Sequence, residues 1–99
     1  MTSKQRAYLR SLANTLEPIV HIGKGGLSPT LEKQADDALT ARELIKGKVL
    51  ETAPETAREA AEALAQAVNA AVVQVVGRVF VLYRANPKEP QIKLPKAKN

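Results

Sequence analysis

Two β-rich runs stand near the end of the chain, Ala71-Val72-Val73-Gln74-Val75-Val76 and Val79-Phe80-Val81-Leu82-Tyr83, with only Gly77-Arg78 between them. A two-residue connection that includes a glycine predicts a tight antiparallel hairpin. Upstream, apolar residues recur alternately at helical and extended spacings, so the full order reads α-β-α-β-α-β-β. Strands separated by helices need crossovers and therefore some parallel pairing, while the hairpin adds an antiparallel pair. The expected fold class is α/β, with a mixed four-stranded sheet and three helices.

Local signals place these elements. Thr2 followed by Gln5 is a capping-box pattern, and Leu9, Leu12, Ala13 and Leu16 mark one apolar face of a first helix that ends by Asn14 and Pro18. Pro18-Ile19-Val20-His21-Ile22 reads as a strand running into Gly23-Lys24-Gly25-Gly26. Ser28 as N-cap and Pro29 at the first helical position open a second helix. Leu31, Ala35 and Ala38 form its buried side, and Glu32, Asp36, Asp37 and Glu43 load the other. Residues 44–50 have strand character. A capping-box pattern predicts that a third helix opens at Thr52, with Pro54 and Glu55, and continues through Ala57, Ala60, Ala61, Leu64, Ala67 and Val68. Its many alanines allow a close approach to a sheet. Beyond residue 86 the periodicity stops. Residues 1–86 are expected to form one domain and 87–99 a basic tail with four lysines and three prolines, anchored locally at most by Ile92 and Leu94.

Composition excludes several functions. Ninety-nine residues suit one domain. Tyr8, Phe80 and Tyr83 are the only aromatic residues, so the core must be aliphatic and base stacking cannot dominate any nucleic-acid contact. The absence of cysteine removes disulfides, a zinc ribbon and thiol catalysis, and fits a reducing compartment. The longest apolar run, residues 79–83, is far short of a bilayer span, and no apolar stretch of signal-peptide length follows the basic start. A soluble, cytoplasmic protein is expected.

The net charge of +5 is unevenly distributed. Residues 1–30 carry four basic side chains against one acidic, a balance of +3. Residues 31–62 carry five against eight, and residues 63–99 six against one. An acidic middle between basic ends favours a polyanionic partner. Catalysis lacks its parts. His21 is the sole histidine, with no second ligand to complete a metal site. Asp36 and Asp37, adjacent on a helix, point about 100° apart and cannot converge on one substrate atom. No enzyme activity, metal, cofactor, membrane or small-molecule substrate is expected.

The glycine loop is the local feature with mechanical content. Gly23 and Gly26 bracket Lys24-Gly25 in a G-x-x-G spacing. Glycine admits positive φ and leaves no Cβ, so a sugar-phosphate backbone can come close. Lys24 adds a mobile charge, and the helix that follows favours an anion at its N-terminus. KH modules clamp nucleotides with such a loop. The spacing is too short for a P-loop, and a dinucleotide fingerprint would need a third glycine farther on.

These residues together resemble a known family. The first helix, then Pro18-Ile19-Val20-His21-Ile22-Gly23-Lys24-Gly25-Gly26-Leu27-Ser28, Glu43-Leu44-Ile45-Lys46, and Val73-Gln74-Val75-Val76-Gly77-Arg78 leading to Val81-Leu82-Tyr83-Arg84, are similar to the CRM domain (chloroplast RNA splicing and ribosome maturation). The likeness runs from about residue 3 to 86. The solitary domain resembles the bacterial YhbY-like branch. The resemblance implies a fold similar to the C-terminal domain of translation initiation factor three, and RNA contact at Gly23, Lys24, Gly25 and Gly26. It also implies association with precursors of the large ribosomal subunit.

The resulting expectation is a monomeric, non-catalytic protein that binds large-subunit ribosomal RNA. Lys4, Arg6, Arg10, Arg84 and the tail lysines would support the loop, and the acidic second helix would face away. The alternative is an adaptor docking on ribosomal proteins through an exposed sheet face. Nonspecific DNA binding would use the same charges but give the loop no special role.

Overall fold

The computed structural model describes residues 1–95, so Lys96 and Lys98 of the expected tail lie outside the described residues. The element order is α1 (Ser3–Ala13), β1 (Val20–Ile22), α2 (Pro29–Arg42), β2 (Leu44–Val49), α3 (Ala57–Val68), β3 (Ala71–Val76) and β4 (Val79–Tyr83). The sheet runs β1-β2-β4-β3, with β1 parallel to β2 and both pairs made by β4 antiparallel. This is the mixed four-stranded sheet and three helices that the periodicity predicts. Gly77 takes φ +58° in the β3–β4 turn, the left-handed conformation such a short hairpin needs.

The helix starts follow their caps. Thr2 and Gln5 satisfy each other's amides at 3.1 and 3.0 Å, and Ser28 accepts from Leu31 ahead of Pro29. The third helix begins four residues later than the sequence predicts. Thr56 and Glu59, not Thr52 and Glu55, form its capping box, at 3.1 and 2.9 Å. Both pairs have the required spacing, but only Thr56 leads directly into the buried stripe Ala57, Ala60, Ala61 and Leu64. Ala65 completes that stripe, and Ala67 is exposed.

The sheet divides the core into two. Helices α2 and α3 cover one face, where Ile22, Leu39, Ile45, Leu64, Phe80 and Leu82 pack together. Gly47 of β2 is required there, because a Cβ at that position would fall inside the Phe80 ring. Helix α1 covers part of the opposite face, packing Leu9 and Ala13 on Leu44, Val73, Val81 and Tyr83. A bulge between Val72 and Gln74 turns Val73 and Gln74 both toward that face.

Glu43 corrects a second expectation. Rather than joining the solvated acidic side of α2, it is fully buried and caps that helix with φ +66°. Its carboxylate accepts backbone amides from Asn86 (2.6 Å), Gln91 (2.8 Å) and Ile92 (2.7 Å). Burial raises the carboxyl's pKa, but these three donors outweigh it and hold the group below its ordinary value. The chain after β4 is therefore fastened well past residue 86. Ile92 and Leu94 pack against the α1 side of the core, and Gln5 donates from Nε2 to the Pro95 carbonyl at 3.0 Å. Hydrogen bonds to buried groups, not only two side chains, anchor residues 86–95.

Candidate nucleic-acid interface

The glycine loop leaves β1 at the end of the sheet and enters α2 through Ser28. Its four residues have different tasks. Gly26 is buried, takes φ +68°, and donates to the Gly23 carbonyl at 2.9 Å, closing the turn. A Cβ there would stand 2.9 Å from Pro54 Cγ and 3.0 Å from both Glu55 carboxylate oxygens. A Cβ on Gly23 would meet Leu50 only at ordinary contact distance. Lys24 and Gly25 are exposed, and nothing comes within 4 Å of a Cβ built on Gly25. Of the two end glycines, Gly26 is the one whose φ and packing require glycine, and the tip between them stands open.

Glu55 underlies this loop. It accepts from the Leu27 amide at 3.4 Å, while its Oε1 is buried without a hydrogen-bond partner among the described residues. The predicted N-cap role of this segment is replaced by a brace between the α3 entry and the glycine turn. The Leu27 amide thus faces a carboxylate, which leaves the Lys24–Gly25 tip as the exposed part of the loop.

The basic residues singled out by sequence fall into two groups. Lys4 and Arg10 are exposed on α1, and neither side chain makes a hydrogen bond or ion pair among the described residues. Arg6 and Arg84 are engaged internally. Arg6 donates from Nη1 to the carbonyls of Val72 (2.6 Å) and Val73 (2.9 Å), satisfying the bulge. Arg84 bonds the Asp36 carboxylate (2.5 Å), the Asp36 carbonyl, the Val68 carbonyl and the Thr40 hydroxyl, and its side chain is only 21% exposed. It fastens α2 and α3 to the end of β4, and so spends its guanidinium on the fold. The sequence contains no local sign of this, since Asp36 lies 48 positions away.

Lys46 and Lys48 of β2, which sequence reasoning placed only in a strand, reach the face shared with α1. The signal was the alternation of Leu44, Lys46 and Lys48 with Ile45, Gly47 and Val49. His21 is exposed between buried Val20 and Ile22 and pairs in register with Lys48. It neighbours no metal-binding cluster among the described residues. No helix among them is long and apolar enough to cross a membrane.

The sequence model of the CRS1 / YhbY (CRM) domain family matches residues 1–84, nearly the whole ordered domain. The chain belongs to the CRM family. Among CRM-family relatives, a Bacillus subtilis protein named as a probable RNA-binding protein, YqeI, is 43% identical over 95 residues, covering 96% of this chain and 99% of its own. A Haemophilus influenzae protein named as RNA-binding is 36% identical over 96 residues, with 97% and 96% of the two chains covered. The solution structure of a Staphylococcus aureus protein superposes with a TM-score of 0.80 at 45% identity, covering 96% and 99% of the two chains. The CRM fold read from the sequence is thus the fold observed.

Proposed function

We propose that this CRM protein is a non-catalytic RNA-binding protein that acts in the cytoplasm on large-subunit ribosomal RNA precursors through the tip of its glycine loop. The observation that carries the reading is the open space above Gly25 beside the exposed Lys24, in a turn that Gly26 fixes. A phosphate can approach such a tip without meeting a side chain, and the ammonium of Lys24 neutralises it. Relatives named for RNA binding support the choice of partner. Lys4 and Arg10 add exposed charge, whereas Arg6 and Arg84 act on the fold. The protein binds as a monomer, and the acidic face of α2 points away from the RNA.

Competition tests this reading. Large-subunit ribosomal RNA should displace a bound probe better than duplex DNA of equal length. If about four phosphates are neutralised, log K should fall with log salt at a slope of roughly −3. A slope near zero, or equal competition by duplex DNA, contradicts it.

A further inference from the structure

Helix α1 leaves half of its sheet face bare. Its last residue, Ala13, borders a groove of about 270 Å³ floored by side chains of β2, β4 and β3. From that groove, which Val76 and Val79 line, the register carries one complete row across the sheet: His21 opposite Lys48, Lys48 opposite Val79, and Val79 opposite Val76. Lys46 stands on the same face two residues back along β2.

Three properties of this bare face coincide. It is cationic: the side chains of Lys46 and Lys48 make no hydrogen bond or ion pair among the described residues, and the row holds no carboxylate. It is also apolar: Val76 is 59% exposed at one side, and Leu50, 40% exposed, follows β2 at the edge, bonded through its amide to Ile22 of β1. And it adjoins the glycine loop, because β1 runs from His21 directly into Gly23, while the Leu50 amide bonds the Ile22 carbonyl at 2.8 Å. The face and the glycine loop thus share the β1 edge of the sheet.

We infer that this bare half-sheet is the second part of the RNA site and that it takes unpaired nucleotides. This rests on the RNA reading of the loop. Charge complementarity selects the occupant: two lysines without ion-pair partners, with backbones about 7 Å apart along one strand, suit successive phosphates. The valines and Leu50 select its conformation. A duplex would set its charged backbone and ribose hydroxyls against them, whereas an unpaired nucleotide can lay a base there. With no Phe, Tyr or Trp in the row and His21 as its one ring, these contacts are mainly apolar rather than stacked, and binding is tolerant of base identity.

The test uses the full chain, a stem-loop RNA with an unpaired loop, and the same stem as a continuous duplex. The variants are Lys46→Ala/Lys48→Ala, Val76→Glu at an exposed edge position, and Gly25→Asp. The parent should prefer the stem-loop. The double lysine variant should bind it about tenfold more weakly, with the salt slope shallower by about 1.4, from two phosphates at about 0.7 each. Val76→Glu should also weaken binding while unfolding at the parent's temperature. Parent-like affinity and slope in both variants, with Gly25→Asp still impaired, overturns the inference and leaves the loop reading standing. So does a double variant that keeps its RNA affinity but no longer joins ribosomal particles, which would make the face a protein-docking surface. A parent that prefers the duplex overturns the choice of unpaired nucleotides. A parent that binds neither RNA overturns the loop reading together with this one.

Discussion

The carboxylate of Glu43 accepts the backbone amide of Ile92 at 2.7 Å, across 49 residues of sequence. The same carboxylate takes the amides of Asn86 and Gln91, so one buried side chain holds three points of the C-terminal segment. Glu43 also caps α2 at φ +66°, a conformation that costs a non-glycine residue about 1–2 kcal/mol. The strain is retained because the carboxylate is placed where three otherwise unsatisfied donors converge.

Glu43→Ala should therefore be among the most damaging single substitutions. It leaves three backbone amides without their acceptor, at about 1–3 kcal/mol for each that water cannot reach. A loss near 3 kcal/mol would lower Tm by roughly 12–24 °C in a domain of this size. Glu43→Gly relieves the backbone strain but removes the same acceptor, so it too should melt well below the parent. Melting near the parent's temperature in both variants would show that the latch contributes little.

The latch has a pH signature. The folded-state pKa of Glu43 lies below its ordinary value of 4.5. A group depressed by folding adds stability that is fully present above the unfolded pKa and is lost as pH falls through the folded one. Denaturant midpoints measured from pH 6 downward should hold until about pH 4.5 and then decline. Glu43→Gln should lack this group's share of the decline.

Truncation separates anchor from charge. Removing residues 87–99 discards the amides of Gln91 and Ile92 and the packing of Ile92 and Leu94, so the melting temperature should fall by about 5 °C or more. Removing only 96–99 keeps every described contact and deletes two lysines. Any loss of RNA affinity in that shorter truncation is electrostatic and should diminish as salt rises. Equal melting temperatures for the two truncations would mean that the docked segment is dispensable.

The same distinction between local and distant partners explains what could be read from sequence. Thr2 with Gln5, Ser28 with Pro29, and Gly77-Arg78 signal within a few residues, and each formed the cap or turn it predicts. The start of α3 slipped because Thr52–Glu55 and Thr56–Glu59 present the same spacing, and burial of the following alanines decides between them. Glu43, Arg6 and Arg84 looked like surface charges because their partners lie 16 to 67 positions away. In the glycine loop the spacing was legible, but not the division of labour, which depends on Pro54 and Glu55 beneath Gly26.

That division gives a contrast within the loop. Gly26→Ala meets Pro54 and must hold φ +68°, so it should destabilise the domain by about 1–3 kcal/mol in a denaturant titration. Gly25→Ala meets nothing within 4 Å and should be nearly neutral. Equal stability of the two variants would remove the case for Gly26 as the shaping glycine.

The most direct test of the loop as the RNA contact compares Gly25→Asp and Lys24→Ala with the parent for affinity to large-subunit ribosomal RNA. All three proteins are to be matched by circular dichroism and melting temperature. Removing the lysine charge should weaken binding by a few-fold, and a carboxylate at a phosphate position should weaken it by at least about tenfold, through like-charge repulsion. A folded Gly25→Asp protein that binds this RNA as tightly as the parent would contradict the account, leaving the glycine loop as a turn alone.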